Sequence, residues 1–144
     1  MMKFSELSSE SWDELQPYLD TCLLPISGLT GMEAPWEATE RMLRTGDWLS
    51  VLEQAFHGRT VTMPAYHYDQ AGQDAAARLN ELCERMKSSG FRYIIVVSGR
   101  PGGVPEDVSA ASLWIQPCEE GEEPDSAAIR QAVSAMWRAG AGRS

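Results

Sequence analysis

Two segments, "TCLLPI" at residues 21–26 and "YIIVVS" at residues 93–98, are apolar without the polar alternation of a half-solvated strand. A strand can be apolar on both sides only where both faces of its sheet are covered, a condition met chiefly by parallel sheets sandwiched between helices. Two shorter segments, "TVTM" at 60–63 and "SLWIQ" at 112–116, alternate instead, the texture of flanking strands. The continuous pair therefore belongs in the centre and the alternating pair outside.

Helical stretches separate these strands. Ser9 or Ser11 is expected to cap a first helix carrying Trp12, Leu15 and Leu19 at helical spacing, with Ser11 and Glu14 in a capping-box pattern and Pro17 shortening its end. A second begins at Pro35 and reaches about Phe56, with Gly46 and Asp47 expected to divide it into two. Residues 74–88 show the clearest stripe, Ala75, Leu79, Leu82, Cys83 and Met86, and a last helix is expected over 126–139 with Ile129, Val133 and Met136 inward. The resulting expectation is an α/β fold: three layers, a mostly parallel four-stranded sheet in the order 2-1-3-4, flavodoxin-like or Rossmann-like, with helices on both faces. It comprises one domain over 1–140 and a flexible tail at 141–144.

At 144 residues the chain suffices for one core, and 43% hydrophobic with 23% charged residues is the balance of a folded domain. A formal charge of -9 without a Lys/Arg cluster argues against nucleic acid, which rewards cations through counterion release. No run approaches the roughly 18 apolar residues of a membrane span, so no direct membrane insertion is expected and the address is read as cytoplasmic. Cys22, Cys83 and Cys118, odd in number and set in apolar surroundings, are expected as reduced, buried thiols. "EEGEEPD" reads as a solvated linker.

For function, the order 2-1-3-4 directs attention to the switch point between strands one and three. Its loops, "SGLTG" and "SGRPGG", nominate Ser27, Thr30, Ser98 and Arg100 for a ligand or partner. Neither loop has a phosphate-binding pattern, and Glu33, Glu37 and Glu40 around the following helix start would repel an anion, so no nucleotide or other cofactor is expected. No close-spaced ligand pair suggests a metal. Arg100 is the cation best placed to meet an anionic ligand or a partner carboxylate.

In "TMPAYHYD", Pro64 fits the end of an edge strand, while Tyr66, His67 and Asp69 fit the rim of a site; the residues alone leave both readings open. Trp36, Trp114 and Trp137 flank polar positions and suggest an aromatic surface for a protein partner, with Trp114 the strongest nominee. No catalytic residue is nominated: G-x-S-x-G does not occur, and neither histidine sits in a motif with serine or cysteine, although folding can assemble a triad from distant residues.

The order and spacing of "YLDTCLLP", "FHGR", "TMPAYHY" and "GFRYIIVV", spanning residues 18–97, resemble the YpiF-like family of uncharacterised bacterial proteins. The matching positions include Asp20, Thr21, Pro25, Gly58, Arg59, Pro64 and Tyr66, and the resemblance carries no catalytic assignment. Through gene neighbourhood it implies an accessory role in production of the menaquinol–cytochrome c reductase. The expected function is a cytoplasmic accessory or protein-binding domain. The alternative is a small-molecule enzyme or sensor with its site at the ends of strands one and three, and homo-oligomerisation is compatible with both.

Overall fold

A computed structural model of the chain describes residues 3–67 and 74–141. A short 3-10 turn at Phe4–Glu6 leads into α1 (Ser9–Leu15), β1 (Thr21–Ile26), α2 (Pro35–Ala55), β2 (Thr60–Thr62), α3 (Ala75–Ser88), β3 (Tyr93–Ser98), β4 (Leu113–Ile115) and α4 (Ser126–Ala141). All three strand pairings are parallel and the order is β2-β1-β3-β4, as the texture of the runs predicts.

Side-chain alternation across the pleat divides the core in two. Cys22, Leu24, Ile94 and Val96 point to the face covered by α1 and α3, where they meet Leu79, Cys83 and Phe91. Leu23, Ile95 and Val97 point to the other face and pack on Trp48 and Leu52 of α2 and Ile129 and Val133 of α4. Both central strands are buried at every residue, which is why neither tolerates a polar alternation.

Several local expectations change. α1 is capped by Ser8, one residue before the expected start: Ser11 N–H donates to Ser8 Oγ at 3.2 Å, and Ser8 N–H to Ser11 Oγ at 2.9 Å. The alternating threonines of β2 are buried rather than solvated, because each finds an acceptor: Thr60 Oγ1 donates to Phe56 O at 3.0 Å, and Thr62 Oγ1 to Glu53 Oε2 at 2.8 Å. Lys3 pairs alongside Thr62 and brings its ammonium within 3.4 Å of Glu53, so this margin is covered. Cys22 and Cys83 are buried as expected, whereas Cys118 is exposed, on the loop after β4.

Gly46 does not divide α2, which runs unbroken from Pro35 to Ala55. Tertiary packing of Thr45, Trp48, Leu49 and Leu52 overrides the weak local preference of a glycine. A Cβ at Gly46 would meet nothing within 4 Å. Gly46→Ala should therefore stabilise the chain by about 0.5–1 kcal/mol, read from the midpoint of urea unfolding at unchanged slope.

At the amino-terminal edge of the sheet, Arg59 grips Asp20 with two hydrogen bonds, at 2.9 and 3.1 Å, while its guanidinium lies 4.0 Å from the ring of Trp137. Trp137 Nε1–H also donates to Thr21 Oγ1 at 3.0 Å, and Phe56 meets its ring edge-on. Trp137 thus fastens α4 to the sheet and does not belong to an aromatic surface. α4 extends to Ala141, two residues beyond the expected end.

Candidate functional site

The carboxyl ends of β1 and β3 carry the nominated loops. Ser27, 1% exposed, closes β1: its N–H donates to Tyr66 O at 3.1 Å, and its hydroxyl lies 2.7 Å from His67 Nδ1 and 3.3 Å from Tyr66 O. Tyr66 N–H in turn donates to Pro25 O at 2.8 Å. The segment after Pro64 therefore continues along β1 as backbone pairing while presenting an exposed imidazole to the buried serine. Tyr66 extends the strand pairing beyond Pro64, and His67 contacts Ser27. Asp69 lies outside the described residues.

Thr30 is held by Glu33. Its N–H donates to the Glu33 carboxylate at 2.9 and 3.1 Å and its hydroxyl at 2.8 Å, while Gly31 N–H donates at 3.0 Å. Arg41 completes the knot, 2.6 Å from Glu33 Oε2 and 3.1 Å from Gly28 O. Desolvation pushes the Glu33 carboxyl up, but the Thr30 and Gly31 donors outweigh it and hold the group at about 2. The carboxylate is thus committed to shaping the loop between β1 and α2, consistent with its place before the helix start.

Ser98 is turned inward: its hydroxyl accepts from Arg100 N–H at 3.2 Å and orders the turn after β3. The Arg100 side chain lies over Gly28, where an added Cβ would be 3.2 Å from Nη1. Its guanidinium makes no hydrogen bond or ion pair with a described residue. It borders a cleft of about 220 Å³ with Trp36, Glu37, Glu40, Arg44 and Glu120. Arg44 ties this wall to the acidic linker, donating to Glu122 O at 2.7 Å and to Glu123 at 3.2 Å, so part of the linker is pinned rather than merely solvated.

Ser27, Thr30, Tyr66, His67, Ser98 and Arg100 thus gather at one end of the sheet. Trp114 stands apart on β4, 44% exposed, its indole N–H donating to Val108 O at 3.0 Å. What residue-by-residue reading missed is the first half of α2. No residue from Pro35 to Arg44 is buried, and Trp36 is 69% exposed, Leu43 65% and Met42 43%; Met32, just before the helix, is 85% exposed. The recurrence of Trp36 and Leu43 seven residues apart marks one face, but it reads equally as a core stripe. Among the described residues no group of three or more His, Cys, Asp or Glu could hold a metal ion, and no helix is long and apolar enough to cross a membrane.

Fold and site together define a small three-layer α/β domain with its polar loops and an uncovered helix face at the switch-point end. The chain belongs to DUF2487, a family described as a protein of unknown function, whose sequence pattern matches residues 10–117. Membership of an uncharacterised family, expected from the strand and turn motifs, holds at that level. No curated protein and no solved structure matches the chain.

Proposed function

We propose that this chain is an accessory protein-binding domain, and that its docking surface is the first half of α2 with the adjoining loop. The observation that carries this reading is the set of large apolar side chains, Met32 just before α2 and Trp36, Met42 and Leu43 on it, left uncovered where the core contribution of the helix begins only at Thr45. Single exposed hydrophobics are ordinary, but four within twelve residues are a local concentration of the kind found at interaction sites. The base of this helix segment is fastened by Arg41 to Glu33 and by Arg44 to Glu123, which keeps its outer side rigidly presented.

The surroundings select the partner's chemistry. Glu37, Glu40 and Asp47 flank the apolar side chains and Glu119 and Glu120 stand on the neighbouring linker, outnumbering the unpaired Arg100 of the same cleft, while Arg41 and Arg44 are already engaged by acids. An apolar segment interspersed with lysine or arginine complements such a rim, whereas a second copy of this chain would oppose acid to acid. The resemblance to the YpiF-like family adds a setting, accessory work in the cytoplasm during production of the menaquinol–cytochrome c reductase.

Titration of the chain with an amphipathic leucine–lysine helical peptide, followed by tryptophan fluorescence and calorimetry, tests the surface. The expected result is saturable binding that Trp36→Ala or Leu43→Ala weakens by roughly 30-fold, as for a central hot spot of about 2 kcal/mol. Binding that both variants leave intact, or a leucine–glutamate peptide that binds equally well, would overturn the assignment.

A further inference from the structure

The contact between Ser27 and His67 goes beyond docking. Ser27 follows the carboxyl end of β1 beside its neighbour β3, the switch point at which doubly wound sheets place their chemistry. In the imidazole tautomer protonated at Nε2, Nδ1 accepts the Ser27 hydroxyl proton across the 2.7 Å separation, the arrangement by which a general base activates a serine. Leu29 N–H donates to the same oxygen at 3.3 Å and fixes its direction.

The space around the pair is apolar. Ser27 lines a cavity of about 200 Å³ with Pro25, Met42, Leu49 and Met63, and His67 lines a more open groove with Leu29, Met42 and Leu43. Met42 is common to both walls, and Lys3 is the one charged side chain among the described residues that border them. Such a lining suits an uncharged acyl group, since its one cation, Lys3, is already paired with Glu53 at 3.4 Å. One donor stands beside the serine without a partner among the described residues, the N–H of Gly28, the residue directly following Ser27. A donor so placed can stabilise a developing oxyanion.

We propose that Ser27 is a nucleophile with His67 as its general base, and that the chain hydrolyses short apolar carboxylic esters. Ser27 Oγ bonds to the ester carbonyl carbon while its proton passes to His67 Nδ1. The bond to the alcohol oxygen then breaks, and the alcohol departs with that proton, leaving an acyl-serine. A water deprotonated by His67 attacks the acyl carbon, releasing the carboxylic acid and restoring the serine. No oxidant or reductant is required.

The test treats the full chain with a fluorophosphonate probe, locates the label by peptide mass spectrometry, and measures hydrolysis of p-nitrophenyl butyrate. The label is expected on Ser27. Hydrolysis should fall by about 10²–10⁴-fold in His67→Ala, as for loss of a general base, and to the uncatalysed rate in Ser27→Ala, with Glu81→Ala unchanged. Because Ser27→Ala removes an acceptor from Leu29 N–H, circular dichroism verifies its fold and the wild-type label provides the independent reading. An unlabelled Ser27, or hydrolysis undiminished in a folded Ser27→Ala chain, would overturn the proposal. The peptide titration depends on neither residue, so the two assignments stand or fall separately.

Discussion

Gly99→Ala should cost about 1–3 kcal/mol, the range for overpacking a well-filled interior. For a chain of this length that corresponds to a fall in Tm of roughly 3–10 °C. The cause is the approach of two backbones: a Cβ at Gly99 would lie 2.5 Å from both Arg44 C and Thr45 N, inside any real carbon contact. Unlike the tip of a long side chain, the helix backbone cannot step aside, so either α2 or the end of β3 must shift. Gly99 sits between Ser98 and Arg100, and the displaced segment of α2 holds Arg44, so the cleft near Trp36 should open as stability falls. Calorimetry on Gly99→Ala beside Gly46→Ala is the check, since both replace glycine by alanine against the same helix. An equal response at the two positions would show that the close approach does not govern the outcome.

The sheet was legible because burial on two faces leaves an unmistakable mark. "TCLLPI" and "YIIVVS" carry polar residues only at an end, Thr21 and Ser98, with no alternation between, and the order β2-β1-β3-β4 follows once they are set side by side. The flanking strands yielded their positions for a reason only half right. In "TVTM" the threonines mark a margin, yet both are buried and satisfied by Phe56 O and Glu53, a relation set by how α2 returns to the sheet rather than by solvent. Gly46 illustrates the opposite failure, a local stop signal overruled by the packing of its neighbours.

Of the candidate site, the end of the sheet on which it lies could be read, but its internal pairings could not. Ser27 and His67 are forty residues apart and meet only because Tyr66 pairs along the end of β1. Glu33 looked like a dipole-complementing acid; its larger task, binding Thr30, Gly31 and Arg41 into one knot, required knowing how the loop turns back on itself. Tryptophans were the least legible. Trp36, Trp114 and Trp137 share a mixed local context, yet one is uncovered, one stands half-exposed on the edge strand β4, and one clamps α4 through Arg59 and Thr21. Local context cannot distinguish them, because the partner that buries an aromatic comes from elsewhere in the chain.

Ile95→Ala should produce a loss of about 2–5 kcal/mol, the transfer cost of the removed carbons plus the cavity they leave. Ile95 is 0% exposed, lies in register with Leu23 on one side and Leu113 on the other, and points into the cluster formed by Trp48, Leu52, Ile129 and Val133. Collapse around the void is hindered because α2 and α4 both rest on this face and α4 is held at its far end by Trp137. Leu43→Ala makes the informative partner, since it deletes a leucine that is 65% exposed and should move stability by no more than about 0.5 kcal/mol. Denaturant unfolding of both variants, set beside peptide titration, separates the two uses of apolar side chains. Ile95→Ala should lower stability while its folded fraction still binds, and Leu43→Ala should bind weakly while remaining as stable as the parent. A large stability loss in Leu43→Ala would mean that the α2 face is part of the core after all, and with that the docking surface would lose its physical basis.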